Sequence, residues 1–128
     1  MVLDTSAIVA IQLRESGFER LLRAIESAAI VVVGTPTLFE THLVLTSKLG
    51  HDARPVVAAF LRLISAEVVP FEQAHLDAAC AAFLRFGRGR HPAALNFGDC
   101  LSYAMAAVSG LPLLFIGNDF GQTDITRA

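Results

Sequence analysis

Short apolar runs alternate along the chain with longer stretches in which apolar residues recur every three or four positions. Runs that are apolar at successive positions are typical of strands buried on both faces of a sheet, whereas the longer period is typical of helices. The pattern predicts four strands, at residues 1–4, 30–34, 67–70 and 113–116. It also predicts six helices, at about 6–14, 16–28, 36–49, 52–65, 72–86 and 97–110.

Strands that alternate with helices favour a parallel sheet. The predicted fold class is therefore α/β, a three-layer α/β/α sandwich with a central, mostly parallel sheet. Pro36 is typical of the first turn of a helix, and Gly50, Gly87 and Gly110 stand at predicted helix ends. The core stripes predicted for the third and sixth helices are Leu38, His42, Leu45 and Leu49, and Phe97, Leu101, Met105 and Val108.

The composition narrows the class of protein. Of the 128 residues, 54% are apolar and 17% are charged, so the chain can bury enough surface to fold and is not disordered. The longest apolar runs have about six residues, whereas a membrane span needs about 18. Asp4 stands where a signal peptide would carry basic residues. We therefore expect a single domain over residues 1–128, located in the cytoplasm.

The net charge of −2 excludes a basic nucleic-acid coat, so that any contact with nucleic acid has to be local. Cys80 and Cys100 are predicted to be buried free thiols, because both lie in apolar, helix-like stretches. No group of cysteine or histidine residues has the spacing of a zinc site.

Four acidic residues lie close to predicted strand ends. Asp4 ends the first strand and Glu40 lies one turn into the helix after the second strand. Asp99 opens the sixth helix, and Asp119 follows the fourth strand. Because ligands of open α/β sheets bind beyond the carboxyl ends of the strands, the four carboxylates predict one shared site.

Glu40 also has a structural interpretation, which depends on where its helix begins. If Thr37 is the N-cap, Glu40 closes a capping box. If Thr35 is the N-cap and Pro36 is the first helical residue, the Glu40 carboxylate stays free.

The other acids have structural alternatives as well. Asp99 can complement the helix dipole three residues after Asn96, and Asp119 can be a turn residue. Asp4 is harder to explain in this way, because a carboxylate directly after a buried strand needs a partner.

If the four acids meet, their formal charge of −4 requires cations to balance it. Carboxylate oxygens select Mg²⁺ or Mn²⁺ over zinc, and one or two such ions would suit this site. A metal pair held by carboxylates is suited to phosphodiester hydrolysis. We therefore expect activity that depends strictly on metal.

Four segments of the chain resemble, in order and at similar spacing, the motifs of the PIN-domain ribonucleases, specifically the VapC-type toxins of type II toxin–antitoxin pairs. The resemblance covers essentially the whole chain and implies a single PIN domain. The segments are Val2-Leu3-Asp4-Thr5-Ser6-Ala7, Thr35-Pro36-Thr37-Leu38-Phe39-Glu40, Asn96-Phe97-Gly98-Asp99-Cys100-Leu101-Ser102-Tyr103-Ala104 and Leu114-Phe115-Ile116-Gly117-Asn118-Asp119-Phe120.

The resemblance implies a metal-dependent endoribonuclease that cuts RNA such as tRNA or rRNA and inhibits translation. It implies a cognate VapB-type antitoxin, which inserts a peptide over the site, and a homodimer formed through helices of the N-terminal half. It further implies that the catalytic and metal-binding acids are Asp4, Glu40, Asp99 and Asp119.

The resemblance also assigns supporting roles. Ser6 is the small polar residue that orders the site, and Asn118 stands where many family members carry a second acid. That difference puts the weaker metal position in doubt. Asp124 continues the fourth motif, and we expect it to be structural.

One basic segment precedes the Asp99 helix and carries Arg85, Arg88, Arg90 and His91. Its arginines are candidate RNA-binding residues because they can hold phosphates near the acids. A solvated, flexible loop is the alternative interpretation. Tyr103, one turn beyond Asp99, can bond at the site or lie in the core.

Two other functions stay open. An aspartyl-phosphate phosphohydrolase also carries an Asp after its first strand, but such enzymes need a second acid where this chain has Ser6. Receiver domains need a late lysine, and the only lysine here is Lys48. A catalytically weak or inactive PIN-fold binding module is the other alternative, and the four acids argue against it.

Overall fold

The computed structural model describes all residues from Met1 to Ala128. Four strands and six helices form, as the sequence predicted. The strands are β1 (Val2–Leu3), β2 (Val32–Gly34), β3 (Glu67–Val69) and β4 (Leu113–Leu114). The helices are α1 (Thr5–Gln12), α2 (Phe18–Glu26), α3 (Thr35–Leu49), α4 (Arg54–Leu63), α5 (Gln73–Phe86), α6 (Phe97–Ser109) and a short 3-10 turn (Phe120–Gln122).

The four strands form one parallel sheet in the order β3-β2-β1-β4. The chain moves outward from β1 through β2 to β3, and then crosses to the opposite side of β1 to form β4. The strand order therefore reverses between β1 and β4, and in such sheets ligands bind beyond the carboxyl ends at this point. The site predicted from the sequence lies at this end of β1.

Helices cover both faces of the sheet, which confirms the three-layer α/β/α sandwich. Leu3, Val33 and Leu114 face a core shared with α1 to α4. Val2, Val32 and Leu113 alternate with them and face a second core, shared with α5 and α6. Successive strand residues point to opposite faces, so apolar runs are needed where both faces are covered. No helix has the length and apolar character to span a membrane.

The stripe predicted for α3 was wrong in its details. The buried side chains are Thr37, Thr41 and Leu45, while Leu49 is exposed. The two threonines are tolerated in the core because their hydroxyl groups form hydrogen bonds. Thr41 Oγ1 donates to the Thr37 carbonyl at 2.8 Å, and Thr37 Oγ1 lies 3.2 Å from Ser102 Oγ. The apolar pattern alone could not reveal this polar contact between α3 and α6.

The core stripe predicted for α6 was wrong at its first and last residues, because Phe97 and Val108 are both exposed, and the prediction for one cysteine was wrong as well. Phe97 is 82% exposed, whereas Met105 of the same predicted stripe is buried. Cys100 is buried as expected, but Cys80 is exposed on α5. Both cysteines are free thiols.

The three glycines stand at helix ends as predicted, since Gly50, Gly87 and Gly110 are the C-caps of α3, α5 and α6. Gly50 and Gly110 adopt left-handed conformations after α3 and α6, with φ of 74° and 68°. The backbone of Gly87 is extended instead, with φ of −67°, and Gly87 pairs with Leu95 in an isolated parallel bridge. Strand β3 forms one edge of the sheet, and Val68 is exposed there rather than covered on both faces.

Candidate active site at the carboxyl ends of the strands

Asp4 lies where β1 ends and α1 begins. Its side chain is only 6% exposed, and its backbone N–H still donates to the Leu114 carbonyl of β4. The Asp4 carboxylate is the N-cap of α1, since Oδ2 accepts the backbone N–H of Ser6 at 2.9 Å. Ser6 Oγ donates to the same oxygen at 2.5 Å and accepts the N–H of Ile116 at 3.0 Å. Ser6 therefore ties the ends of β1 and β4 together beside Asp4.

Glu40 lies on α3 and faces the start of α1. Neither predicted capping frame is observed, because the helix begins at Thr35 with Gly34 as its N-cap. The Glu40 carboxylate is therefore not used for capping. Its Oε2 accepts a hydrogen bond of 2.7 Å from Thr5 Oγ1, which fixes the side chain against the residue that follows Asp4.

Asp99 lies in the first turn of α6, three residues after Asn96, as its structural interpretation predicted. Its Oδ2 accepts the N–H of Asn96 at 2.8 Å, and its own N–H donates to Asn96 Oδ1 at 3.0 Å, which completes a capping box. Gly98 precedes it and lies directly against Glu40. A Cβ placed on Gly98 would lie 2.5 Å from Glu40 Oε1, so a side chain there would displace the carboxylate.

Asp119 and Asn118 are exposed in the segment after β4. Asp119 stands at the N-cap position of the 3-10 turn, but its side chain makes no capping bond. This is the turn position that the sequence offered as a structural interpretation, and the carboxylate remains available.

The charges of the other three acids act on Asp99. Burial raises the pKa of Asp99, and the negative charges of Asp4, Asp119 and Glu40 raise it further, against the opposing effect of the Asn96 hydrogen bond. Asp4, Glu40 and Asp99 each use one oxygen in the bonds described above, and the other oxygen has no partner in the protein. Because no buried polar side-chain atom lacks a hydrogen bond, these free oxygens reach solvent.

The donor set suits a hard divalent cation, since every ligand offered is a carboxylate oxygen. As they stand, no three acidic, histidine or cysteine side chains are close enough together to hold an ion. An ion would therefore have to draw the carboxylates together. Asp119 can move most readily because it is exposed and unbonded.

The basic segment divides into two parts. Arg85 lies in the last turn of α5 and forms an ion pair with Asp124, with Nη2 2.8 Å from Oδ2. Arg88 and Arg90 are exposed, and neither forms an ion pair. The guanidinium of Arg90 lies 5.3 Å from the ring centre of Phe83.

Tyr103 bonds to the C-terminal segment and not to an acid of the site. Its hydroxyl donates to Asp124 Oδ1 at 2.7 Å. Burial and this bond raise the pKa of Tyr103 to about 12. The structural role expected for Asp124 agrees with these contacts, in which each of its oxygens is bonded.

Two residues that contact the acids were not singled out from the sequence. Thr5 holds Glu40, and Gly98 leaves room for the Glu40 carboxylate. Both lie inside the segments that carry the resemblance, directly beside Asp4 and Asp99. A small or hydroxylated residue next to a functional acid was the available signal.

A family model of the PIN domain matches residues 1–125 of the chain. A match over nearly the whole length is decisive, and the chain belongs to the PIN-domain family.

Within that family the similar proteins are VapC ribonucleases. The chain is 42% identical over 125 residues to ribonuclease VapC30 of Mycobacterium tuberculosis, covering 98% of this chain and 95% of that protein. It is 44% identical over 126 residues to ribonuclease VapC36 of the same species, covering 98% and 91%. The ribonuclease VapC of Mycolicibacterium smegmatis is 42% identical over 125 residues, covering 98% and 97%. The resemblance to VapC-type proteins is thus confirmed.

Solved structures show the same fold. The VapC20 toxin of Mycobacterium tuberculosis, described as cleaving the sarcin-ricin loop, superposes with a TM-score of 0.75 at 20% identity, covering 99% of this chain and 97% of that one. A chain of a toxin–antitoxin complex from Klebsiella pneumoniae superposes with a TM-score of 0.69 at 18% identity, covering 96% and 92%.

Proposed function

We propose that this chain is a metal-dependent endoribonuclease toxin whose site is formed by Asp4, Glu40, Asp99 and Asp119. The observation that carries the proposal is that separate elements of the fold place these acids at one end of the sheet, where burial, and then the charges of Asp4, Asp119 and Glu40, raise the pKa of Asp99. Like charges gathered at a strand end are unfavourable unless a cation or a cationic ligand binds there. Perturbed carboxyl groups in such a position are typical of functional sites.

The proposed cofactor is Mg²⁺ or Mn²⁺, as one or two ions, held by these four carboxylates. When bound, it would supply an activated water and stabilise the charge on the leaving oxygen. Asn118 lies beside Asp119 and can add a neutral amide oxygen to the ligand set.

The surrounding residues keep the carboxylates ready for this task. The two bonds from Ser6 fix the Asp4 side chain, while Thr5 fixes Glu40 and Asn96 fixes Asp99. In each pair one oxygen is held and the other faces solvent. This division lets the acids bind a ligand without a loss of their orientation.

Substrate binding is assigned to the exposed arginines of the basic segment. Arg88 and Arg90 have no carboxylate partner, so their guanidinium groups are available to phosphates. Arg85 was also a candidate, but its charge is balanced by the ion pair with Asp124. Without such cations the acidic site would repel RNA.

We further propose a cellular role by analogy with the VapC relatives. The chain would cleave an RNA needed for translation, tRNA or rRNA, in the cytoplasm. A VapB-type antitoxin would cover the site, and two copies would pair as a homodimer. Light scattering of the purified chain, alone and with its antitoxin, tests the last two points: a monomer that binds no antitoxin would contradict them.

The test of the proposed activity is RNA cleavage by the purified chain with Mg²⁺ or Mn²⁺ and with EDTA. Cleavage is expected with either ion and not with EDTA. Asp4→Asn should reduce the rate of cleavage by more than about 100-fold. Substitution of a residue that only orients a metal ligand reduces activity by up to about 100-fold, and substitution of the ligand itself should have a larger effect. The fold should survive, since an Asn side chain is an equally good N-cap and can still accept both bonds from Ser6.

Asp77→Asn is the matched control for this substitution. Asp77 is an exposed acid on α5 that accepts a bond from Gln73, which an amide oxygen can also accept. Its rate should equal that of the wild type. Full activity of Asp4→Asn would contradict the assignment of the site. RNA binding without cleavage by the wild-type chain would favour a PIN-fold binding module.

A further inference from the structure

Asp124 joins two helices that are not adjacent to it in sequence. Its Oδ1 accepts the hydroxyl of Tyr103 on α6, and its Oδ2 accepts Arg85 on the last turn of α5. The bonds are 2.7 and 2.8 Å long, so that both oxygens are used. Tyr103 and Arg85 lie on either side of the segment that carries the free arginines. This arrangement makes Asp124 a link between the two ends of that segment.

The C-terminal strap, residues 123–128, is itself held against the sheet. The Leu113 N–H donates to the Thr126 carbonyl at 2.9 Å, and the Ala128 N–H donates to the Leu113 carbonyl at 3.0 Å. These bonds form an isolated parallel bridge at the outer edge of β4. The Arg127 guanidinium lies 4.6 Å from the ring centre of Phe115. Asp124 is therefore anchored to the strand that ends beside the acids.

The arginine loop, residues 87–96, packs on the rings of Phe86 and Phe83, since His91 lies against the first and Arg90 over the second. The ring of Phe86 lies 5.2 Å from that of His91, which belongs to the loop, and 5.8 Å from that of Tyr103. The Arg85 guanidinium lies 4.5 Å from the same ring centre. The base of the loop is closed by backbone bonds, from Arg88 to Leu95 and from Leu95 to Phe86. Asp124 thus holds two groups that pack on Phe86.

We propose that the C-terminal strap is a positioning device for the arginine loop, with Asp124 and Arg85 as its positioning residues. Arg85 is then not a phosphate ligand, although it lies in the basic segment. Its charge is already balanced by Asp124, whereas Arg88 and Arg90 have no partner. The part of the proposal that concerns RNA rests on the proposed ribonuclease function. The part that concerns the loop does not.

Hydrogen exchange tests the positioning without reference to activity. Asp124→Asn removes the charge and one acceptor oxygen but keeps the shape of the side chain. The amides of Arg88 and Leu95 should exchange about five-fold faster in this variant, while those of α2 and α3 are unchanged. Asp124→Glu, which keeps both acceptor oxygens, should restore slow exchange. Unchanged exchange in Asp124→Asn would overturn the proposal.

Asp52→Asn is the matched control. Asp52 forms an exposed ion pair of 2.7 Å with Arg54, but this pair joins residues two positions apart and holds no second element. Exchange in the arginine loop should not change when it is broken. If Asp124→Asn fails to fold, Arg85→Met provides the same test, because it leaves the bond between Tyr103 and Asp124 in place.

Kinetics separate a positioning role from direct contact with phosphate. Asp124→Asn should raise KM for an unpaired RNA oligonucleotide about five-fold, with kcat within two-fold of the wild type. The salt dependence of KM counts phosphate contacts, and Arg88→Ala should reduce its logarithmic slope by about 0.7. Arg85→Met should raise KM without this change of slope. An equal reduction of slope in Arg85→Met would make Arg85 a phosphate ligand and contradict the proposal.

The two proposals fail in different ways. If the wild-type chain cleaves no RNA with Mg²⁺ or Mn²⁺, the proposed function is wrong, and hydrogen exchange still decides whether the strap positions the loop. If RNA is cleaved but exchange and KM are unaffected in Asp124→Asn, only the positioning role is wrong.

Discussion

Two groups of polar side chains in this chain differ in how their charges are balanced. The acid group consists of Asp4, Glu40, Asp99 and Asp119, and no cationic side chain is paired with it. The tail group consists of Arg85, Tyr103 and Asp124, in which the carboxylate is bonded to a cation and to a hydroxyl. Burial, and then the charges of the other acids, raise the pKa of Asp99, whereas the bonds from Tyr103 and Arg85 lower the pKa of Asp124.

The difference separates the cluster that we propose to be functional from a structural one. A group that completes its own hydrogen bonds and charges stabilises the fold and has nothing left with which to bind a ligand. The acid group is held in orientation by Ser6, Thr5 and Asn96, but it keeps free oxygens and like charges. Such a cluster is unfavourable for folding, and binding of a cation would relieve the repulsion between its charges.

The largest effect that sharpens this comparison is expected from Gly98→Ala. The new Cβ would lie 2.5 Å from Glu40 Oε1 and would push the carboxylate away from the other acids. RNA cleavage should fall by about 30-fold or more, because small misplacements of reacting groups have large effects on rate. Thermal stability should change little, since Ala is a better helix former than Gly and the displaced group is a flexible end.

Gly121→Ala is a control for this substitution, because a Cβ there meets no atom within 4 Å. It should retain the wild-type rate. If Gly98→Ala cleaves RNA as fast as the wild type, the position of Glu40 is not important for the reaction.

The next effect concerns the tail group. Tyr103→Phe removes only the hydroxyl that Asp124 accepts, and the ring of Phe fills the same space beside Phe86. Loss of this bond should lower the melting temperature by about 4 °C, as measured by calorimetry. An unchanged melting temperature would mean that the contact does not stabilise the fold.

A smaller effect of opposite sign is expected in the acid group. Asp99→Asn removes a charge that its neighbours oppose, and an amide oxygen can still accept the Asn96 N–H. The melting temperature at neutral pH should rise by about 2 °C, as measured by calorimetry. A lower melting temperature at neutral pH would contradict the repulsion described here.

The difference in stability between Asp99→Asn and the wild type should depend on pH in a defined direction. A raised carboxyl pKa means that the folded chain binds a proton more tightly than the unfolded chain, so stability falls as pH rises through the window between the two values. The advantage of Asp99→Asn should therefore be small below the usual pKa of aspartate. It should increase as pH rises and become constant above the raised pKa.

Much of the fold could be predicted because it follows from local patterns. Apolar runs and helical periods located four strands and six helices, with differences at their ends of a few residues. What the pattern missed depends on contacts between distant parts of the chain. The buried Thr37 is stabilised by Ser102, which is 65 residues away, and no periodicity reports such a partner.

The candidate site was predicted as a set of residues but not as a geometry. Asp4, Glu40 and Asp99 were identifiable from their places after strands and at helix starts, and Asp99 interacts with the other acids as expected. The role of Arg85 could not be predicted, because its partner Asp124 lies 39 residues further along the chain. Sequence shows that a residue is charged, but not whether its charge is already balanced.

The most direct test of the difference between the two groups is calorimetric titration of Mn²⁺ into the wild type, Asp99→Asn and Asp124→Asn. We predict that the wild type binds Mn²⁺, that Asp99→Asn binds at least about ten-fold more weakly, and that Asp124→Asn stays within about two-fold of the wild type. No binding to the wild type would contradict the account, as would equal weakening by the two substitutions.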